Sequence, residues 1–171
     1  TFLEEHLSTL EAISKQLEAS PAEVAGKLTS CLLELDSERK RAVSLEQELS
    51  KGVAESLLPQ VESVNGISVL SAKVPASNME TLRLIGDRLM GQLESAIIVL
   101  GAIYQGRPHF VAMVTSDLAS KGYHAGELVK QVAAVTGGSG GGRPGLGQAG
   151  GKDKGKLDEA LQQVSRLVKK S

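Results

Sequence analysis

Between Val24 and Leu49 the chain repeats an alternation of four- and three-residue steps: Val24, Leu28, Cys31, Leu35, then Glu38, then Ala42, Leu45 and Leu49. A mean spacing of 3.5 residues is a heptad seam, the pattern of a helix whose narrow apolar stripe must be covered by another helix. Gly52 and Pro59 are expected to end it, after roughly 30 residues and about 45 Å. Upstream, Leu3, Leu7, Leu10, Ile13 and Leu17 predict a first amphipathic helix that stops near Ser20–Pro21. There Ser20 as N-cap, Pro21 at the first helical position and Glu23 form a capping box that restarts the chain. The first helix is predicted to fold back on the second as a hairpin. Because it is the shorter of the two, a second copy of the chain is expected to cover the rest of the seam at Val24, Leu28, Cys31, Leu35, Ala42, Leu45 and Leu49. Cys31 lies in that seam, where a thiol acts as a small hydrophobe.

After residue 60 the period changes. Val64–Val74 carries a turn signal at Asn65–Gly66 and then partial alternation, a strand. Ser77 and Glu80 read as a second capping box before a helix facing inward with Leu82, Ile85, Leu89 and Leu93. Ala96–Tyr104 is apolar on both faces, as a covered central strand is, and Gln105–Pro108 turns the chain into an antiparallel partner over 109–115. Two more helices are predicted, over 126–135 with Leu128 and Val132 inward, and over 156–169 with Leu157, Leu161, Val164 and Val168. The expected fold is α/β: a helical hairpin or coiled-coil stalk over 1–59, then a small α/β sandwich over 60–171.

Composition narrows what such a chain can do. It is 41% hydrophobic and 23% charged, ordinary for a soluble protein, and no apolar run reaches the ~20 residues of a membrane span. A single cysteine excludes an internal disulfide framework and a thiolate zinc cluster, in keeping with a reducing, cytoplasmic location. A chain that opens at Thr1, without a methionine or a signal-like leader, is expected to be a piece of a longer one. The net charge of −1 conceals an asymmetry: residues 1–60 hold 11 acidic against 6 basic side chains, and residues 61–171 hold 9 against 13. Two units with different partners are implied. With two Phe, two Tyr and no Trp, nucleic-acid contact would rest on backbone charge rather than on base stacking.

Residues 137–151 contain 9 of the 19 glycines. Too little chain follows for this to be a linker between domains, so a loop built for close approach is expected. The amides of Gly140, Gly141 and Gly142, the start of the next helix, and Arg143, Lys152, Lys154 and Lys156 would make an anion cradle suited to phosphate. Sharper motifs fail. A Walker loop would need Gly at 146 and Ser or Thr at 153, where the chain has Leu146 and Asp153. Gly140–Gly142–Gly145 and Gly145–Gly147–Gly150 match a dinucleotide fingerprint through glycine density alone. His6, His109 and His124 are scattered without metal-ligand spacing and read as ordinary surface or boundary residues.

The run Gly-Gly-x-Gly-Gly-Gly-Arg-Pro-x-x-x-Gln-Ala-Gly-Gly over 137–151, with Gln148 at its fourth-last position, resembles the hallmark of the DHHA1 domain that closes bacterial alanyl-tRNA synthetases. Leu100–Gly101–Ala102, Lys121–Gly122 with Ala125–Val129, Lys152–Asp153 with Lys156–Ala160, and Ser20–Glu23 before the heptad helix fit that family in order. Gly145, Leu146 and Gly147 depart from the Asp, Met and Ala common there. The resemblance implies a non-catalytic fragment without a cofactor of its own. Its stalk would dimerise the enzyme, and its globular part would bind the outer corner of tRNA(Ala), linking aminoacylation to editing. The parent's ATP, Mg and Zn sites would lie in upstream catalytic and editing domains, which become partners along with a second copy; no membrane is implied. After the cradle residues, Arg107, Lys121 and His124 are the next candidates for RNA contact. Two alternatives are a substrate domain of a DHH-type phosphoesterase, which would need an upstream Asp-His cluster, and a purely structural dimerisation module.

Overall fold

The computed structural model describes residues 1–170. The chain divides into two compact units, Thr1–Leu45 and Glu46 onward. Helix α1 (Phe2–Gln16) opens on a capping box: the Thr1 hydroxyl accepts from the Glu4 N–H at 3.4 Å, and the Glu4 carboxylate takes the Thr1 ammonium at 2.9 Å. It ends at Leu17, earlier than Ser20–Pro21, because Glu18 turns left-handed (φ 50°) and the Ala19 N–H reaches back to the Ser14 carbonyl. At the restart, the Glu23 carboxylate accepts the Ser20 N–H at 3.1 Å, but the Ser20 hydroxyl donates to that carboxylate instead of capping the helix. Half of the expected box is present.

Helix α2 (Val24–Leu57) is 34 residues long. Gly52 does not end it; the helix runs through this glycine, and a 3₁₀ turn at Leu58–Gln60 carrying Pro59 stops it. The predicted hairpin does not bury the seam. Within the first unit, burial is confined to the residues beside the turn: Ser14 is buried, and Leu10, Leu17, Val24 and Cys31 are half-buried. Further along, Leu3, Leu7 and Ile13 of α1 and Leu28 and Leu35 of α2 stay exposed, and Leu45 is 57% exposed. Away from the turn, the apolar positions have no covering partner within the unit.

The second unit is a six-stranded sheet with helices on both faces. Strands β1 (Glu62–Val64) and β2 (Ile67–Lys73) are joined by Asn65–Gly66, both at positive φ (52° and 79°), the hairpin turn that this dipeptide favours. Helix α3 (Met79–Met90) crosses to β3 (Ala96–Tyr104), which pairs parallel to β2. Its N-cap is Asn78 rather than Ser77: the Asn78 side chain accepts the Thr81 N–H at 2.8 Å, a reach to the third helical amide that closes the first turn. Leu93 falls beyond the helix. The turn into β4 (Arg107–Val114) is only Gln105–Gly106, so Arg107 and Pro108 already belong to the strand. A short α4 (Ser116–Ser120) was not legible in the pattern, and α5 (Ala125–Val135) buries Ala125, Gly126, Val129, Val132 and Ala133 while Leu128 is only half-buried.

The glycine segment is not a loop. It forms two strands, β5 (Ser139–Arg143) and β6 (Leu146–Gly150), in a hairpin that completes the order β1-β2-β3-β4-β6-β5. Helix α6 (Leu157–Lys170) follows and buries Leu157, Leu161, Val164 and Val168 as their spacing requires. Residue alternation sends Ile97, Val99, Phe110, Ala112 and Ala149 into a core with α5 and α6, and Ile98, Leu100, Val111 and Met113 into a second core with α3 and the last turns of α2.

Candidate nucleic-acid interface

Register fixes which side of the hairpin each residue faces. Ser139, Gly141 and Arg143 of β5 stand opposite Gly150, Gln148 and Leu146 of β6, and these pair onward with His109, Val111 and Met113 of β4. Val111 and Met113 belong to the α3 core, so the whole row shares that face. Gly140, Gly142 and Gly147 point the other way, toward α5. A Cβ on Gly147 would lie 2.6 Å from the Ala125 carbonyl oxygen, and one on Gly126 would lie 2.5 Å from the Gly142 oxygen. Gly147 thus lets α5 lie directly on strand backbone, while Gly138, Gly140 and Gly142 are pressed against the neighbouring backbone of 146–151 and Gly151 against Thr136 and Pro108. The hairpin turn is tied in as well: the Pro144 carbonyl accepts the Ala125 N–H at 2.8 Å, and the Gly145 carbonyl accepts the Val114 N–H at 3.2 Å.

This geometry separates the basic residues that the sequence gathers into one cradle. Arg107 and Lys152 line one concavity of about 460 Å³ with His109, Ser139 and the backbone of Gly137, Gly138, Gly150 and Gly151. Arg143 lies at the opposite end of the hairpin, beside the Pro144 turn that holds the start of α5. Four residue steps of β6 separate the two ends, about 13 Å at the usual rise. Lys121 and His124 belong to the Arg143 end, preceding α5. His124 is the N-cap of that helix, its Nδ1 accepting the Glu127 N–H at 3.2 Å, and it lines a smaller cavity of about 190 Å³ with Tyr123 and Glu127. Gln148 is half-buried in the middle of the open face.

At the start of α6 several of the amides predicted to line the cradle have partners within the chain. The Asp153 carboxylate takes the Gly155 N–H at 2.9 Å, and Asp158 and Glu159 occupy the first helical turn, so Lys154 and Lys156 are flanked by acidic residues along the chain. The amides of Lys152 and Asp153 are spent on the Thr136 carbonyl, both at 3.0 Å. Among the described residues, none of Arg107, Lys121, Arg143 and Lys152 is in an ion pair; the pairs formed are Thr1–Glu4, Lys40–Asp36 and Lys51–Glu55.

His109 is the residue that sequence reasoning undervalued. Its ring stacks on Tyr104 with centroids 3.8 Å apart and planes 6° from parallel. Burial, and then the charge of Arg107, hold the imidazole below its usual pKa, while burial raises the Tyr104 phenol. Alternation along β4 places residues 107 and 109 on one face, and that signal was available in the sequence. Among the described residues, no group of three His, Cys, Asp or Glu side chains is placed to hold a metal ion, and no helix is long and apolar enough to cross a membrane.

Comparison with known proteins gives a consistent set of likenesses. The DHHA1 domain model matches residues 66–170. An alanine–tRNA ligase of Dehalococcoides mccartyi (strain ATCC BAA-2266 / KCTC 15142 / 195) is 44% identical over 160 residues, covering 94% of this chain and 18% of the relative. That of Geobacillus thermodenitrificans is 45% identical over 168 residues, 98% of this chain and 19% of the relative. The chain thus spans about a fifth of the length of the curated relatives it matches. Among solved structures, the C-Ala domain from Aquifex aeolicus alanyl-tRNA synthetase matches with a TM-score of 0.58 at 26% identity, over 64% of this chain and 97% of that one.

Proposed function

Because the chain belongs to the DHHA1 domain family, we propose that it is the tRNA-binding and dimerising C-terminal part of an alanine–tRNA ligase. The observation that carries the reading is the match to these ligases across 94% or more of the chain, stalk and globular unit together. In this reading the fragment does no chemistry of its own. ATP, Mg and Zn belong to upstream catalytic and editing domains, and this part keeps one tRNA(Ala) within reach of both. Cations without ion-pair partners on the globular unit suit a phosphate-bearing ligand, and the scarcity of aromatic side chains suits recognition by backbone and shape. Exposed Leu28, Leu35, Leu45 and Leu49 on α2 suit a second copy. A ligase of this kind works in the cytoplasm.

The test is a gel-shift titration with tRNA(Ala), an unrelated tRNA and single-stranded DNA, run beside sedimentation of the protein alone. The expected result is a dimer that prefers tRNA(Ala) and loses affinity steeply with salt. Equal binding of single-stranded DNA and both tRNAs would remove the tRNA role, and a monomer across micromolar concentrations would remove the dimer.

A further inference from the structure

We propose that the RNA backbone runs across the open face of β6 and β5, with one phosphate held between Arg107 and Lys152 and another at Arg143, an assignment that rests on the tRNA reading above. On this side of the sheet α3 covers β3 and β4, and no helix extends over the hairpin. What remains is Ser139, Gly141 and Arg143, all exposed, with half-buried Gln148, Gly150 and Leu146 beside them. No carboxylate lines the Arg107–Lys152 concavity. Into it Ser139 brings a hydroxyl, and the His109 ring forms part of its wall. The backbones of the two cationic ends are about 13 Å apart along β6, a spacing that suits different phosphates of one chain.

Gly141 is a glycine of the open face that neither crowding nor backbone conformation requires. A Cβ there would have nothing within 4 Å, and its φ is not left-handed, whereas a Cβ on Gly140 would lie 2.6 Å from the Ala149 Cα. Glycine in an exposed strand is the weaker choice when a side chain fits, and one of its uses is to let another backbone come close. Here it leaves the middle of the face bare, halfway between the two cationic ends and opposite Gln148. Gln148 is the one amide side chain at that level, able to donate and accept toward a ribose or phosphate. On the opposite face of the hairpin α5 lies against Gly142 and Gly147. The ligand chemistry is a polyanion with spaced phosphates and a slim backbone, which RNA provides.

The experiment is fluorescence anisotropy of labelled tRNA(Ala) with the full chain at several salt concentrations, for Arg107→Ala, Arg143→Ala, Gly141→Val, Gly141→Ser and the control Lys130→Ala/Lys169→Ala on the exposed sides of α5 and α6. Thermal unfolding of each variant runs in parallel. Arg107→Ala and Arg143→Ala should each lower the salt slope by about one unit. Gly141→Val should weaken binding at least tenfold, and Gly141→Ser less, with unfolding midpoints at or above the parent's. The control should match the parent. If both Gly141 variants bind as the parent does, or the control carries the loss, the RNA lies elsewhere and this assignment fails while the tRNA role stands. If the parent does not bind tRNA(Ala), both readings fall.

Discussion

Gly147→Ala tests the packing of α5 on the β6 backbone. The added methyl would lie 2.6 Å from the Ala125 carbonyl oxygen and 2.8 Å from both the Ala125 carbonyl carbon and the Gly126 Cα. All three are backbone atoms at the start of α5, where the Ala125 N–H is fixed to the Pro144 carbonyl. No flexible side chain can swing aside; where Ala stands at this position, as in the family that the segment resembles, α5 must stand off further, so here the helix or the strand must move by about an ångström although both are paired on their other sides. Overpacking a well-packed site costs about 1–3 kcal/mol, and an obstacle made only of backbone places this substitution at the upper end. For a unit of this size a loss of about 3 kcal/mol lowers the unfolding midpoint by roughly 10–15 °C. Gly141→Ala is the internal comparison, since a methyl there meets nothing, and it should leave the midpoint unchanged or raise it by a few degrees. The assay is thermal unfolding followed by circular dichroism, with urea titration to check that the m-value is kept. A Gly147→Ala midpoint within about 2 °C of the parent would refute the reasoning, because α5 could not then lie on the β6 backbone as described.

Other consequences can be measured in the same preparations. His109 sits below its usual pKa, so the native state binds fewer protons than the unfolded chain; its stabilising contribution is present above about pH 6.5 and is lost as the pH falls toward the lowered native value. Midpoints measured between pH 7.5 and 5 should therefore decline, and His109→Gln should flatten that decline; equal slopes in parent and variant would exclude His109 as its source. Asn78→Ala should cost about 1 kcal/mol through loss of the cap on α3, whereas Ser77→Ala should cost nothing resolvable by urea denaturation. Leu35→Asp and Leu45→Asp should shift the chain toward monomer in sedimentation while the Glu46-onward unit keeps its unfolding midpoint, and a dimer that persists in both would clear the α2 stripe of that role.

Much of this fold was legible because periodicity carries through to burial. Leu157, Leu161, Val164 and Val168 are spaced by four, three and four, and all four are buried. Ala96–Tyr104 is apolar on both faces, and it is the strand with a core on each side. Boundaries were less legible, since they are set by local competition between hydrogen-bond partners. Asn78 outbids Ser77 for the α3 amides, and Glu18 turns left-handed before Pro21 can act.

That the glycine segment is a strand pair was hidden for a different physical reason. Glycine density has two opposite causes, an unconstrained backbone and a backbone with no room beside it, and composition alone does not separate them. What separates them is alternation. Gly140, Gly142 and Gly147 share one face with each other and with Ala149, a run of minimal side chains on the face that receives α5. Gly141 breaks the economy of that explanation, because its own face is open. Once the segment is strand, its cations are spread along it: Arg143 and Lys152 flank opposite ends of a two-stranded ribbon about 13 Å long. A ribbon with separated charges and a bare centre is suited to an extended ligand that supplies its own spacing, so filling the centre at Gly141 should disturb binding more than removing any single cation.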